Sequence, residues 1–406
     1  MELLLISPPQ LIKGSIILEG SKSISNRLLI MQKLCPEGFD IENLSPSDDT
    51  KTLQKLLSSN DEILDVGAAG TTMRFLTAYL AITEGSHTLT GSERMKKRPI
   101  KILVDALLNL GADITYLGED GFPPIKINGK KIQGGKINIR ADVSSQYISA
   151  LMMIGPLLEK GLELELVGNI GSFPYINMTL KTMEQLGIKN SFDQNTIIIQ
   201  PGKYSSINMK AESDWSAASY YFSMCALSSA SQIIIHGLME KSLQGDSVLP
   251  EIYKQLGVTS IFENDILYLE NTGEIVNQLN FDFTDCPDLA QTVAVTCAAL
   301  RVNAKFTGVE SLKIKETDRT QALSNELAKF GVDFYEEDGY WILKGETLAN
   351  DPVKINTYED HRMAMCFAPL AIKHQQIIIE DPMVVKKSYP SFWSDLESLG
   401  FSTSFD

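Results

Sequence analysis

A helix that ends in an apolar residue followed by glycine recurs along this chain at nearly regular intervals. Five such segments end at Gly111, Gly187, Gly257, Gly331 and Gly400, which lie 69 to 76 residues apart. Each has apolar residues at helical spacing, with glycine where a left-handed residue commonly ends a helix. Strand-like runs such as "ELELVG" and "QIIIHG" precede most of these helices. The pattern predicts repeated structural units.

A second series of strongly apolar helices alternates with the first. It begins at "KSISNR", "AGTTMR", "SSQYIS", "SDWSAA", "PDLAQT" and "EDHRMA". With "DDTKTLQKLL" as the early member of the glycine-ended series, the chain contains six units of two helices with intervening strands, the first unit being shorter. Alternating strands and helices predict an α/β fold with mixed sheets. A chain of 406 residues is long enough for two domains of three units each.

Composition excludes several classes of function. The formal net charge of −15 opposes general electrostatic binding to nucleic acid or to an anionic membrane. The start, "MELLLISPPQ", lacks the basic and apolar regions of a signal peptide, and no segment has the apolar length of a membrane span. The five cysteines show no CxxC spacing and the four histidines are scattered, so we expect reduced core cysteines in a cytoplasmic protein, without disulfides or a zinc site.

Cations recur where helices are predicted to begin. Lys22 and Arg27 lie in "GSKSISNR", whose small and hydroxyl-bearing residues are typical of a helix N-terminus. Four more cations occupy similar positions in later units, namely Arg98, Arg319, Arg362 and Lys387. A cation there is electrostatically unfavourable, and any one of them alone would be consistent with an exposed surface residue. Their recurrence indicates an anionic ligand that interacts with both the helix ends and the cations.

Three carboxylates lie among these cations. Asp288 opens "PDLAQT", Glu316 lies between Lys315 and Arg319, and Asp360 precedes His361. Each could simply cap a helix. In a site for anions, however, a carboxylate opposes binding unless it moves protons. Asp288 and Glu316 are the better candidates for proton transfer, and Asp360 is expected to orient the neighbouring arginine or backbone amides.

Ten short motifs occur in one order along nearly the whole chain. They are "GSKSISNR" (20–27), "AGTTMR" (69–74), "RMKKRP" (94–99), "SSQY" (144–147), "SFPYI" (172–176), "QGD" (244–246), "PDLAQT" (287–292), "IKETDR" (314–319), "DHRMAM" (360–365) and "KSYP" (387–390). This series resembles the 5-enolpyruvylshikimate-3-phosphate synthase family of enolpyruvyl transferases. The resemblance implies two α/β domains, each of three βαβαββ repeats (an inside-out α/β barrel) with helix N-termini facing an interdomain cleft. It also implies an N-terminal domain of residues 14–212 and a C-terminal domain of residues 1–13 plus 213–406.

The resemblance implies two overlapping substrate sites. The shikimate 3-phosphate site would comprise Lys22, Ser23, Arg27, Ser144, Ser145, Gln146, Ser172, Tyr175, Asp288, Ser311 and Lys315. The phosphoenolpyruvate site would comprise Lys22, Gly70, Arg98, Gln146, Arg319, Arg362 and Lys387.

The implied reaction is an addition followed by an elimination in the shikimate pathway, which leads to chorismate and the aromatic amino acids. Asp288, helped by Lys22, would remove the proton of the 5-hydroxyl while Glu316 protonates C3 of phosphoenolpyruvate. The resemblance implies a monomer with these two small-molecule partners and without a metal or organic cofactor.

This chain departs from the family pattern at several motif positions. Ala68 replaces an asparagine, Phe75 replaces a proline, and Ser311 stands where asparagine commonly contacts the shikimate phosphate. Either Lys386 or Lys387 could match the lysine of the family motif, and Lys387 is chosen because it directly precedes Ser-Tyr-Pro. Gly70 suggests that glyphosate, which competes for the phosphoenolpyruvate site, fits this chain.

Two other interpretations remain at this stage. One is an enolpyruvyl transferase that acts on UDP-N-acetylglucosamine, which would usually carry a cysteine on a mobile loop, whereas "GSERMKKRP" has none. The other is a non-catalytic repeat protein that binds anions. Such a protein would be expected to lack the proton carriers, and both are present here.

Overall fold

Two compact units make up the chain. A computed structural model describes residues 1–8, 11–142, 144–229, 231–345 and 352–406. The N-terminal unit is Ser21–Ala211, and the C-terminal unit combines Met1–Gly20 with Glu212–Asp406. Among the described residues, no helix has both the length and the apolar character needed to cross a membrane.

Strands and helices alternate along most of the described chain, as the sequence predicts. The strands are β1 (Glu2–Ile6), β2 (Ile12–Ile17), β3 (Ile41–Glu42), β4 (Ile63–Asp65), β5 (Gly85–Thr90), β6 (Asp113–Tyr116), β7 (Ile125–Gly129), β8 (Gly135–Arg140), β9 (Leu162–Val167), β10 (Asn190–Asp193), β11 (Thr196–Ile199), β12 (Met209–Lys210), β13 (Ser231–His236), β14 (Leu256–Glu263), β15 (Ile266–Ile275), β16 (Gln278–Asp282), β17 (Asn303–Thr307), β18 (Val332–Glu337), β19 (Tyr340–Gly345), β20 (Val353–Ile355), β21 (Gln376–Glu380) and β22 (Ser402–Phe405). The α-helices are α1 (Lys22–Leu34), α2 (Asp48–Leu57), α3 (Gly70–Ile82), α4 (Lys101–Asn109), α5 (Ser145–Ile154), α6 (Phe173–Gln185), α7 (Trp215–Leu227), α8 (Leu249–Lys254), α9 (Ala290–Leu300), α10 (Arg319–Ala328), α11 (His361–Phe367), α12 (Ala371–His374) and α13 (Phe392–Ser398).

The N-terminal unit contains two complete repeats and one reduced repeat. Sheets β4-β5-β7-β6 and β10-β11-β9-β8 each combine a parallel pair with two antiparallel strands, and each is accompanied by two helices. The reduced repeat contains α1, α2 and a short parallel pair, β12 with β3, and it has no further hairpin in the described residues. This accounts for the shorter first unit expected from the sequence.

The C-terminal unit contains three four-stranded sheets, two of which depend on the N-terminal strands. The sheets run β14-β15-β13-β2, β16-β17-β19-β18 and β20-β21-β1-β22. Strand β1 lies between β21 and β22, and β2 pairs in parallel with β13. This pairing places β2 in the C-terminal unit. The N-terminal unit thus begins seven residues later and ends one residue earlier than the expected domain of 14–212.

The second series of helices forms the interior of each unit. Helices α7, α9 and α11 are buried along almost their whole length, as are α3 and α5. A helix that is apolar on all sides needs a buried position, which explains why these sequences lack a polar face. Their first residues carry most of the polar groups discussed below. Packing of the apolar helix bodies therefore fixes where those polar groups lie within each unit.

Candidate active site

Arg27 holds the start of α1 against α5 and α6. Its Nε donates to Thr179 Oγ1 at 2.7 Å and its Nη2 to Ser149 Oγ at 3.0 Å. Nη1 donates to the carbonyl oxygen of Ser23 at 2.8 Å, and the ring of Phe75 lies 5.5 Å from the guanidinium carbon. The residue is only 2% exposed, and burial lowers the pKa of Arg27 to about 10. Arg27 thus organises this region through neutral acceptors, and its role as a phosphate ligand stays a prediction.

The other candidate residues of the N-terminal unit lie at the starts of neighbouring helices. Lys22 begins α1, and its Nζ lies 3.1 Å from Asp49 Oδ2. Ser144 caps α5 by accepting from the amide of Gln146 at 3.3 Å, and the side-chain amide of Gln146 donates to Thr71 Oγ1 at 3.1 Å.

Three further candidate residues belong to the same group. Ser145 is the first residue of α5, and Ser172 precedes α6 with a left-handed φ of 56°. Tyr175 follows in the first turn of α6, where its carbonyl oxygen accepts from Arg27 at 3.3 Å. Hydrogen bonds thus link the second turn of α1 to the first turn of α6, and the first turn of α3 to that of α5.

Gly70 leaves room for two arginines beside the start of α3. A Cβ atom at this position would lie 2.6 Å from Nη1 of Arg98 and 2.8 Å from Nη1 of Arg74. Arg74 also donates to the carbonyl oxygen of Gly70 at 2.8 Å. Arg74 lies within the motif "AGTTMR", whose sequence alone predicted no role for it.

The predicted start of a helix at Arg98 is wrong. Arg98 instead follows the 3₁₀ helix Met95–Lys97 in an extended conformation, and α4 begins only at Lys101. Pro99 provides the reason, because a residue before proline is disfavoured in the helical region.

Arg319 is the centre of a charged cluster in the C-terminal unit. Its Nε lies 2.7 Å from Asp360 Oδ2, and its Nη1 lies 3.0 Å from Asp288 Oδ1. Nη2 lies 2.9 Å from Glu316 Oε2. Burial alone would lower the pKa of Arg319, but the three carboxylates outweigh it and raise that pKa above its usual value. The structure therefore brings both candidate proton carriers to one guanidinium.

Asp360 orients two groups in this cluster. Besides binding Arg319, it caps α11 by accepting from the amide of Arg362 at 2.8 Å. The sequence predicted that this residue orients the neighbouring arginine or backbone amides. The contact with the amide of Arg362 agrees with that prediction, whereas the contact with Arg319 was not predicted.

Three more cations complete the charged cluster. Arg362 Nη2 lies 3.0 Å from Asp288 Oδ2, and Lys315 Nζ lies 3.7 Å from Asp288 Oδ1. Burial alone would raise the pKa of Asp288, but Arg362, Lys315 and Arg319 together hold it well below its usual range. Burial lowers the pKa of Lys315.

Lys387 reaches the opposite side of the cluster. Its Nζ lies 3.5 Å from Glu316 Oε1, and its side chain is 11% exposed. Lys386 is exposed, so the structure favours Lys387 over Lys386 as the candidate site residue. Ser311 lies in the 3₁₀ helix Glu310–Ile314, close in sequence to Lys315. Among the described residues, no group of three or more His, Cys, Asp and Glu side chains is arranged to hold a metal ion.

Asp246 and Ser216 extend the charged cluster, although the sequence predicted no role for either residue. Arg362 Nη2 donates to Ser216 Oγ at 3.3 Å, and that hydroxyl donates to Asp246 Oδ2. Asp246 is 3% exposed, and its Oδ1 has no hydrogen-bond partner among the described residues. Burial, with a smaller contribution from Asp288, raises the pKa of Asp246 to about 7.

A buried polar network holds the loop that carries Asp246. Glu212 Oε2 accepts from the side-chain amide of Gln244 at 2.9 Å, which also donates to the carbonyl oxygen of Ser213 at 2.8 Å. The motif "QGD" could have indicated the importance of this loop from the sequence, because Gln244 and Asp246 are its two polar residues.

Substitution of Asp246 should reveal the cost of ionising it in the folded protein. Its raised pKa means that stability falls as pH rises from about 4 to about 7, because only the unfolded chain releases the proton freely there. Asp246→Asn removes this penalty while its amide oxygen can still accept from Ser216. The stability gained by the variant over the unaltered protein should be larger at pH 8 than at pH 5 by at least about 2 kcal/mol. Urea unfolding at both pH values measures this difference in the free energy of unfolding.

The exposed Asp333→Asn change is the matched control, since it alters charge equally in the same unit. A stability difference for Asp246→Asn that is the same at both pH values would contradict the interpretation.

Comparison with known proteins identifies the family. A family model for EPSP synthase (3-phosphoshikimate 1-carboxyvinyltransferase) matches residues 51–396. The chain is 49% identical over 401 residues to the 3-phosphoshikimate 1-carboxyvinyltransferase of Bacteroides fragilis (strain YCH46), with 98% of both chains covered. It is 34% identical over 439 residues to that of Haemophilus influenzae (strain PittGG), covering 98% of this chain and 99% of the relative.

A solved structure agrees with the predicted fold class. EPSP synthase from Acinetobacter baumannii superposes with a TM-score of 0.79 over the full length of both chains, at 20% sequence identity. This likeness confirms the α/β fold, while the sequence matches establish the relationship. The chain therefore belongs to the EPSP synthase (3-phosphoshikimate 1-carboxyvinyltransferase) family.

Proposed function

We propose that this protein transfers the enolpyruvyl group of phosphoenolpyruvate to the 5-hydroxyl of shikimate 3-phosphate and releases phosphate. The observation that carries this proposal is the binding of Asp288 and Glu316 to the same guanidinium, with distances of 3.0 and 2.9 Å to Arg319. An addition–elimination needs one group that accepts a proton and one that donates it, beside cations that stabilise an anionic substrate. The charged cluster contains all of these groups.

The two substrates are assigned to different sets of residues. Shikimate 3-phosphate is bound by Lys22, Ser23, Arg27, Ser144, Ser145, Gln146, Ser172, Tyr175, Asp288, Ser311 and Lys315. Phosphoenolpyruvate is bound by Lys22, Gly70, Arg98, Gln146, Arg319, Arg362 and Lys387. Arginine suits the carboxylate and phosphate because it donates two parallel hydrogen bonds, whereas lysine acts as a point charge.

Proton transfer proceeds in two stages. Asp288, assisted by Lys22, accepts the proton of the 5-hydroxyl while the oxygen forms a bond to C2 of phosphoenolpyruvate. Glu316, protonated in the substrate complex, gives its proton to C3, which becomes a methyl group. Glu316 then takes a proton back from C3 as the C2–O bond to phosphate breaks, the leaving phosphate takes the proton held by Asp288, and the product keeps the enolpyruvyl ether. Cations bind the leaving phosphate.

The contacts within the charged cluster oppose this chemistry until an anion binds. Asp288 accepts from both Arg319 and Arg362, and a carboxylate with so low a pKa is a weak base. A substrate phosphate or carboxylate competes for the same guanidinium donors. Once it takes them, Asp288 loses two charge-assisted hydrogen bonds, and its pKa rises toward a value useful for accepting a proton. Substrate binding and activation of the base are thus coupled.

We also propose that the protein acts in the cytoplasm as a monomer, within the shikimate pathway. The five cysteines are buried and unpaired, which suits a reducing compartment.

Neutral replacements of the proton carriers should abolish turnover while preserving the fold. Asp288→Asn and Glu316→Gln are each expected to lower phosphate release from the two substrates by about 10²- to 10⁴-fold, the usual contribution of general acid–base catalysis. The assay measures phosphate released by purified protein given phosphoenolpyruvate and shikimate 3-phosphate.

UDP-N-acetylglucosamine in place of the shikimate ester distinguishes the rival transferase. Phosphate release with that acceptor alone would refute the proposal. Tight binding without turnover on either acceptor would support the non-catalytic alternative.

The competition between Asp288 and anionic ligands predicts an opposite effect on binding. Asp288→Asn should bind inorganic phosphate about three- to tenfold more tightly than the unaltered protein, because its neutral amide no longer pairs strongly with Arg319 and Arg362. Isothermal titration with phosphate measures this affinity. Exposed Asp285→Asn is the control, since it removes one negative charge nearby in sequence. Equal gains in both variants would mean that net charge alone is responsible.

A methyl group at Gly70 should impair the binding of phosphoenolpyruvate. Gly70→Ala forces Arg98 or Arg74 to move, because the added Cβ would lie 2.6 and 2.8 Å from their guanidinium nitrogens. Overpacking of about 1–3 kcal/mol predicts a rise of about tenfold or more in KM for phosphoenolpyruvate, with reduced inhibition by glyphosate.

The control for this change is Gly202→Ala, whose nearest contact would be Ile188 at 3.6 Å. A Gly70→Ala enzyme that kept its KM and remained fully inhibited would refute the assignment of Gly70.

A further inference from the structure

We propose that two buried tyrosine hydroxyls and the carboxylate that accepts from them position Lys387 in the charged cluster. These groups belong to Tyr221, Tyr389 and Asp395, and we call them the tyrosine chain. The inference rests on the proposed function, because it requires that Lys387 contact phosphoenolpyruvate. None of the three residues touches the charged cluster through a hydrogen bond described above, so they are positioning residues.

The hydrogen bonds of the tyrosine chain run in one direction. The hydroxyl oxygens of Tyr221 and Tyr389 lie 2.6 Å apart, and the Tyr389 hydroxyl donates to Asp395 Oδ2 at 2.7 Å. A phenol has one proton to donate, so Tyr221 donates to Tyr389 and Tyr389 to the carboxylate. Burial raises the pKa of both tyrosines well above the usual value, which keeps them as donors.

The tyrosine chain connects three separate elements next to the 3₁₀ helix that ends at Lys387. Tyr221 lies on α7 and Asp395 on α13, while Tyr389 follows the 3₁₀ helix Pro382–Lys387. The amide of Tyr389 donates to the carbonyl oxygen of Val385 at 2.8 Å, as does that of Ser388 at 3.1 Å. A displacement of the Tyr389 backbone is therefore transmitted to the turn that ends in Lys387.

The far end of the tyrosine chain is anchored a second time. Ser391 Oγ donates to Glu19 Oε1 at 2.6 Å and lies 3.2 Å from Asp395 Oδ2. The pKa of Asp395 is raised, because burial outweighs the hydrogen bonds from Tyr389 and Ser391 that lower it. These contacts restrain Asp395, which in turn restrains the Tyr389 hydroxyl.

Lys387 needs such support because its side chain is long and flexible. Its Nζ lies 3.5 Å from Glu316 Oε1, a longer distance than the 2.9 Å between Arg319 and the same carboxylate. A side chain with four methylene groups is flexible, so the backbone position of Lys387 contributes to where its ammonium points. Displacement of about 1 Å in a catalytic site can cost about 10²-fold in rate.

The hydroxyl groups can be removed without removing the rings. Tyr389 packs on Phe392 with ring centroids 5.6 Å apart, and Phe392 packs on Tyr220 at 5.4 Å. Tyr389→Phe keeps this aromatic packing and loses only the hydrogen bonds. Tyr221→Phe interrupts the tyrosine chain one residue earlier and serves as a second variant if the first folds poorly.

Steady-state kinetics tests the proposal. Tyr389→Phe and Tyr221→Phe should each raise KM for phosphoenolpyruvate by about three- to tenfold and leave KM for shikimate 3-phosphate within about twofold. The control is Tyr253→Phe, which also loses a buried hydroxyl bond in this unit, at 3.0 Å to Thr296. It should change neither constant.

A double-mutant cycle separates positioning of Lys387 from general weakening of the fold. In a Lys387→Met background, Tyr389→Phe should add no further loss, because the group that it positions is already gone. The same loss in both backgrounds would overturn the proposal, as would unchanged KM in the two tyrosine variants. Phosphate release by the unaltered protein tests the proposed function separately. If that reaction occurs but Lys387→Met leaves KM for phosphoenolpyruvate unchanged, the proposed reaction stands, while the assignment of Lys387 to phosphoenolpyruvate and the present inference both fail.

Discussion

The C-terminal unit is organised around the guanidinium of Arg319, which binds three carboxylates from three different parts of the chain. Asp360 caps α11, Asp288 precedes α9 and Glu316 precedes α10, so this one side chain links three helix starts. Three negative charges exceed the one that they surround, which explains why further cations border the cluster. Removal of one partner from a buried ion pair typically costs about 3–5 kcal/mol. Each charge is therefore constrained by the fold as well as by any ligand.

Arg27, in the N-terminal unit, is held by a different kind of acceptor. Arg27 donates to the hydroxyls of Thr179 and Ser149 and to backbone carbonyls, all of which are neutral. Burial lowers the pKa of Arg27, whereas the carboxylates raise that of Arg319. Hydroxyls and carbonyls orient a guanidinium without cancelling its charge, so the positive field at the start of α1 persists. This arrangement suits a region proposed to bind a phosphate, while the C-terminal unit suits proton transfer.

The sequence revealed those features that depend on local patterns. The glycine-ended helices, the buried second series and the recurrence of Lys and Arg near their starts all follow from residue spacing. The orienting role of Asp360 was also accessible, because it is a short-range capping interaction.

Features that depend on tertiary placement were missed. Strand β2 belongs to the C-terminal unit because it pairs with β13, more than 200 residues later in the chain, and no local signal reports such pairing. Ser216 and Asp246 become part of the site only when the start of α7 meets the "QGD" loop. The tyrosine chain likewise joins residues that are far apart in the sequence, since Tyr221 lies on α7 and Tyr389 lies in the "KSYP" motif.

The location of the proton carriers has a thermodynamic consequence for the proposed reaction. The proposed reaction requires Asp288 and Glu316 to lie next to the cations that are proposed to bind substrate. In the free protein the two carboxylates occupy donors of Arg319 and Arg362, so the proposed substrate would have to compete with those internal bonds. That competition need not slow catalysis. Interactions formed fully only as the bound anion approaches its transition state lower the barrier, whereas equally tight binding of the ground state does not. A cluster that is neutralised internally before binding is thus compatible with both weak initial affinity and effective proton transfer.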